Sequence, residues 1–306
     1  MVFSMSIRMT DLPSSLWHFL HVSMIVFGST LLTSGGCVLG QTAKDGEVYW
    51  NVHSLSSPFQ AQDTSLRVLL PDAMHPDRRY PCLFVLPVHE DGIFRHGDGL
   101  EEVRRLNIHN EHQVICVAPS FTAQPWYVDH DRDPTRKDES HLLNTVLPFL
   151  ASHYPVRTDR EGRFLVGFSK SGRGAMSLLL RHSELFYKAV AWDPGIRIDM
   201  GPHDDGYDLE SQISKLFGTR ANFERYRIPH LIRTLGPGLV KEARLFYFSC
   251  DGVVRTSGGV KIHSLLVEEG IPHRYVMEPK RTHRWDSGWL PEAMKFLFGE
   301  STPSKD

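Results

Sequence analysis

Gly167-Phe168-Ser169-Lys170-Ser171-Gly172-Arg173-Gly174-Ala175 is the stretch that decides the fold. Before it, residues 163–168 are apolar after the first position, the pattern of a buried strand. After it, Ala175, Met176, Leu178, Leu179 and Leu180 recur at helical spacing. A strand that turns at once into a helix forces its turn residue into a strained backbone. Small residues two before and two after let the two elements approach. Gly167 and Ser171 hold those positions around Ser169. A serine at such a tip presents its hydroxyl at the carboxyl end of a sheet, the place for a nucleophile. The blander reading of these letters is a Gly/Ser helix cap with no chemistry. Ser171 fits the role less well, since its own flanks would be Ser169 and Arg173.

Outward from this turn, short apolar runs alternate with amphipathic stretches. Strands are predicted at 65–70, 82–88, 113–118, 163–168, 188–192, 244–249 and 274–277, several bounded by proline. Helices are predicted over 139–152, 173–182, 260–269 and 290–298. Near-continuous apolar strands suit a sheet buried on both faces. The alternation predicts an α/β fold, a mainly parallel twisted sheet of about eight strands with helices on both faces. Residues 200–240 lack a strand pattern and read as an insertion over the sheet's carboxyl edge.

A serine hydroxyl needs a base, and the base needs an orienting acid. In this architecture they follow in the order Ser, acid, His. The strand at 244–249 runs into Cys250-Asp251-Gly252, which puts Asp251 at a strand's carboxyl end. Asp-Gly is also an ordinary turn pair. Asp193, after the strand at 188–192, is a second candidate for the acid. His283 lies in the loop between the last strand and the last helix, whereas His182, His203 and His230 read as surface positions, and His263 and His273 flank a helix. An oxyanion hole needs two backbone N–H groups. Lys170, next to the nucleophile, supplies one; Val88 or His89, after the strand at 82–88, is the candidate for the other. Trp126 and Trp285 are candidate substrate contacts, with wall packing as the alternative.

Composition narrows the class. Apolar residues make up 41% and charged residues 23% of the 306, as in ordinary globular chains. A net charge of −2 with no basic run gives no pull toward nucleic acid. The four cysteines, Cys37, Cys82, Cys116 and Cys250, show no metal-ligand spacing, and the last three sit in apolar runs that suit buried free thiols. No metal and no organic cofactor is expected. Arg8 precedes a mostly apolar stretch over 16–32, broken by His18 and His21, and small residues follow over 33–40. That order reads as a cleaved export signal ending before Gln41, with a lipoprotein signal at Cys37 or an uncleaved anchor as alternatives. Residues 1–40 are therefore expected to be a leader and 41–306 a single domain, secreted or periplasmic, without stable membrane association.

Over roughly residues 50–298 the chain resembles the esterase branch of the α/β-hydrolases. That branch includes S-formylglutathione hydrolase (esterase D), feruloyl and enterochelin esterases, and the mycolyl-transferring antigens of mycobacteria. Ser57-Pro58-Phe59, Leu66 to Pro71 and Arg79-Tyr80-Pro81 are similar to its first hairpin and the lead into its third strand. The turn at Ser169 is similar to its G-H-S-M-G-G-H-G-A pattern. Phe217-Gly218, Asn222-Phe223 and Tyr226 resemble the segment before its acid-bearing strand. His283-Arg284-Trp285 with Trp289 resembles its terminal H-x-W…W signature. The resemblance implies an α/β-hydrolase fold and a serine carboxylic-ester hydrolase with Ser169 as nucleophile, Asp251 as acid and His283 as base. Its expected substrate is a small-molecule or carbohydrate-linked ester. An acyltransferase with the same triad, or a non-catalytic binding protein on this scaffold, are the alternatives. Two positions depart from the pattern: Ser171 stands for a glycine, and the loop at 88–92 lacks a glycine-rich start.

Overall fold

The structure is a computed structural model and describes residues 49–90, 96–201, 206–249, 253–277 and 281–299. The expected leader over 1–40, with Cys37, lies outside the described residues, as do Cys250 and Asp251. Eight strands form one sheet: β1 (Asn51–Leu55), β2 (Thr64–Leu69), β3 (Cys82–Leu86), β4 (Ile115–Pro119), β5 (Arg163–Phe168), β6 (Lys188–Trp192), β7 (Leu245–Ser249) and β8 (His273–Met277). Their order is β1-β2-β4-β3-β5-β6-β7-β8. The β1–β2 and β2–β4 pairs are antiparallel, and every pair from β4 through β8 is parallel. The chain has the α/β-hydrolase fold. One strand escaped the sequence reading: β1, Asn51-Val52-His53-Ser54-Leu55, is an edge strand with three polar letters, and His53 occupies one of its two buried positions.

The helices are α1 (Gly99–Arg105), α2 (Ile108–Glu111), α3 (Asp138–His141), α4 (Leu147–His153), α5 (Lys170–Arg181), α6 (Leu209–Phe217), α7 (Arg220–Tyr226), α8 (Ile228–Leu235), α9 (Val253–Glu268) and α10 (Leu290–Phe298). The single helix expected over 139–152 is broken by a π turn at Leu142–Val146. Pro148, which has no N–H to donate, follows that turn, and the backbone ladder widens ahead of it.

Strand alternation sorts the side chains onto two faces. In β3, Cys82, Phe84 and Leu86 point into a cluster that includes Leu179 of α5, Leu231 of α8 and Leu265 of α9. Leu83 and Val85 point the other way, toward Val103 of α1 and Leu290 of α10. Phe84 is 1% exposed, and burial of such a side chain contributes about 1.5–3 kcal/mol. Cys82 and Cys116 are free and buried, and burial raises both thiols far above their ordinary pKa. Between β6 and β7 the described residues of the 200–240 stretch hold helices α6, α7 and α8 and no strand. There α6 and α7 form a third cluster with Val128 and Ile198, while α8 joins the main core. Among the described residues no helix is long and apolar enough to cross a membrane.

Candidate active site

The site grows from the β5–α5 turn. Ser169 holds φ 55° and ψ −123°, a conformation that costs a side-chain-bearing residue about 1–3 kcal/mol. What keeps it there is local. A Cβ on Gly167 would lie 2.1 Å from the Ser171 carbonyl oxygen, so no larger residue fits that approach. The Ser171 hydroxyl accepts from Phe168 N–H at 2.9 Å and donates to the Phe168 carbonyl at 2.8 Å, fully buried. The glycine-to-serine departure therefore adds a hydroxyl that pins the strand end to the helix start. The turn is also tied to its neighbour: Ser169 N–H donates to Trp192 O at 3.0 Å, and Gly195 N–H donates to Ser169 O at 2.8 Å. Ser169 makes no side-chain cap to its helix, so its hydroxyl is not used structurally there.

The register of β5 against β6 pairs Phe168 with Trp192, so the next residues, Ser169 and Asp193, leave adjacent strands at the same level. Asp193 also has positive φ, 40°, and is 2% exposed. Its N–H donates to Phe248 O of β7 at 2.7 Å. His283, from the loop after β8, meets Asp193 Oδ2 through Nδ1. Its ring lies 4.3 Å from that of Phe168, 6.0 Å from that of Trp192 and 5.3 Å from that of His96. The base and nucleophile candidates are thus brought to one edge of the sheet. Asp251, the first sequence choice for the acid, lies outside the described residues.

Leu86 pairs with Gly167, which delivers the exit of β3 beside the Ser169 turn. Val88 is buried there, and His89 Nδ1 accepts from Gln124 Nε2 at 3.2 Å. Neighbouring carbonyls are held elsewhere, Pro87 O by the Tyr127 hydroxyl at 2.6 Å and Glu90 O by Phe121 N–H at 3.0 Å. Lys170 N–H is the first of the α5 amides that have no partner inside the helix. Burial lowers the Lys170 side chain to about 8, with the charge of Glu90 opposing.

Of the two readings open for Trp285, its surroundings favour wall packing. It is 2% exposed, its ring packs against Phe168 and Trp289, and its backbone N–H donates to His96 O at 2.9 Å. It is a wall of the second core and not a face at the mouth. Trp126 is half-buried against the α6–α7 cluster, with its backbone N–H on Asp138 at 2.8 Å. Its indole lies 5.9 Å from the Arg173 guanidinium carbon, and its Nε1 is buried without a partner. Sequence reading missed Arg173 and Asp199, a fully buried pair joined at 2.8 and 2.9 Å. Asp199 also accepts Ile228 N–H at 2.9 Å, so the pair fastens the β6–β7 crossover to the nucleophile helix. Among the described residues no group of three His, Cys, Asp or Glu side chains is placed to hold a metal.

Comparison with known proteins agrees with this architecture. The profile of the family described as "Putative esterase" matches residues 57–211. Among solved structures, a ferulic acid esterase is 21% identical with a TM-score of 0.63, over 81% of this chain and 96% of that one. An S-formylglutathione hydrolase from Agrobacterium tumefaciens is 16% identical with a TM-score of 0.66, over 86% and 99%. MPT51 of Mycobacterium tuberculosis is 13% identical with a TM-score of 0.59, over 81% and 96%. Half of the sequence falls within the family profile, and the chain belongs to the esterase family, an enzyme of the α/β-hydrolase fold.

Proposed function

We propose that the protein is a serine carboxylic-ester hydrolase that works through an acyl-enzyme on Ser169. One observation carries this reading: Ser169 sits at φ 55°, ψ −123° between β5 and α5, with the His283 ring 4.3 Å from that of its neighbour Phe168. His283, oriented by a carboxylate, takes the Ser169 proton as Oγ attacks the ester carbonyl. Charge develops on the carbonyl oxygen, and the amide of Lys170 with that of Val88 or His89 stabilises it. His283 then gives its proton to the departing alcohol. Water, deprotonated by the same imidazole, releases the acid and restores Ser169.

The expected substrate is a small-molecule or carbohydrate-linked ester, turned over with no cofactor in the cycle. Hydrolysis of p-nitrophenyl acetate tests it. The wild-type protein turns the ester over and Ser169→Ala does not; equal rates for the two remove Ser169 from the reaction. Export is a second part of the reading, resting on the apolar stretch at 16–32 followed by small residues. Amino-terminal sequencing of the secreted product is expected to begin at Gln41, and recovery of Met1 in a cell-associated protein contradicts it.

A further inference from the structure

We infer that Asp193, at the end of β6, is the carboxylate that orients His283, so that this chain carries its acid one strand nearer the nucleophile than the end of β7, which Asp251 follows in the sequence. The inference rests on the ester-hydrolase reading and deepens it.

The geometry favours Asp193 on four counts. First, the contact uses His283 Nδ1. The two ring nitrogens point to opposite sides, so an Nδ1–H donated to a carboxylate fixes the tautomer whose Nε2 lone pair is available to a hydroxyl. Second, the pairing of Phe168 with Trp192 places acid and nucleophile on adjacent strand ends, which one imidazole can bridge. Third, Asp193 is held in the left-handed region, φ 40°, immediately beside the equally unusual Ser169. Strain of this kind persists only where surroundings over-determine it, and it gathers at functional sites. Fourth, the carboxylate is 2% exposed. A buried carboxylate is costly without positive charge nearby, and His283 becomes positive during each half of the proposed cycle.

The backbone that carries Asp193 is also fixed to the catalytic turn itself. Asp193 N–H is tied to β7, Gly195 N–H to the Ser169 carbonyl, and Asp199 to Arg173, one helical turn beyond Ser169. Moving Asp193 relative to Ser169 means breaking at least one of these. Asp193 acts through His283, so it is a positioning residue.

The experiment compares the intact wild-type protein with Ser169→Ala, Asp193→Asn and Asp251→Asn on p-nitrophenyl acetate. It is paired with proton NMR of the His283 Nδ1–H, which a carboxylate partner shifts far downfield. Asp193→Asn is expected to lower kcat by about 10³–10⁴ with KM little changed, and to lose the downfield resonance. Asp251→Asn is expected to stay within a few-fold in kcat and keep the resonance. Normal turnover in Asp193→Asn, or loss of the resonance in Asp251→Asn, overturns the inference while leaving the hydrolase reading intact. Absence of Ser169-dependent turnover in the wild type overturns both. Should Asp193→Asn fail to fold, the resonance in Asp251→Asn still decides: kept, it supports Asp193; lost, it refutes it.

Discussion

The turns that leave β5 and β6 both hold a side-chain-bearing residue at positive φ, Ser169 at 55° and Asp193 at 40°, yet they are built differently. The β5 turn is enforced from within. Gly167 has no room for a Cβ, and the Ser171 hydroxyl bonds both backbone groups of Phe168. The β6 turn is enforced from outside, by β7 through Phe248, by the β5 turn through Gly195, and by His283. A nucleophile needs one conformation in every state of the cycle, and local sterics supply that. A positioning carboxylate must meet a side chain from a distant loop, and only tertiary contacts can bring about that meeting.

The largest expected effect is on the internally built turn. Ser169→Ala should remove ester turnover, leaving at most the ~10³–10⁴-fold acceleration over water that oxyanion and binding effects give without the nucleophile. Next is Gly167→Ala, whose methyl would stand 2.1 Å from backbone. It should lower stability by about 1–3 kcal/mol, the usual cost of overpacking, and disturb activity with it. Urea unfolding with a parallel rate measurement checks both. Ser171→Ala removes both hydroxyl bonds to the Phe168 backbone and should cost about 1–2 kcal/mol by the same measurement. Ser171→Gly, which restores the more common residue, should lose the same bonds. Gly195→Ala is the counterpart on the β6 side. Its Cβ would approach Lys170 N at 3.3 Å, a contact that relaxes by a few tenths of an ångström. Its cost should fall below about 1 kcal/mol. A Gly195→Ala cost as large as that of Gly167→Ala would erase the distinction between the turns.

A separate effect at the β5 turn is a pH dependence. Burial holds the Lys170 ammonium near 8, below its ordinary 10.5. Between those values the unfolded chain binds more protons than the folded one, so this group makes stability rise as pH increases from about 8 toward 10.5. Lys170→Met should flatten that rise in denaturation series across the same pH window. An unchanged slope would show that the ammonium is solvated in the folded state.

The same difference explains what was legible in the sequence. The β5 turn announces itself because its constraints are neighbours along the chain: Gly167, Ser169 and Ser171 within five residues. The parallel strands were legible too, since burial on both faces leaves continuous apolar runs such as 163–168 and 188–192, both matched to the residue. Edge strand β1 was hidden by its polar letters, with His53 at a buried position. Asp193 was visible only as an alternative, because Trp-Asp-Pro-Gly reads as any strand-ending turn until His283, ninety residues away, is brought to it. Trp285 stayed open between wall and binding face for a related reason. An aromatic next to a candidate histidine suggests a binding face, but Phe168 and Trp289 enclose it. The Arg173–Asp199 pair left no local signal, since neither residue's sequence neighbours disclose that both are fully buried.

A fluorophosphonate probe reports whether Ser169 is an activated nucleophile. Incubated with the folded protein and read by mass spectrometry, the probe should add once, on the peptide that contains Ser169, and Ser169→Ala should remain unmodified. A folded wild-type protein that gains no adduct, or a Ser169→Ala variant that labels as fast, would contradict the account.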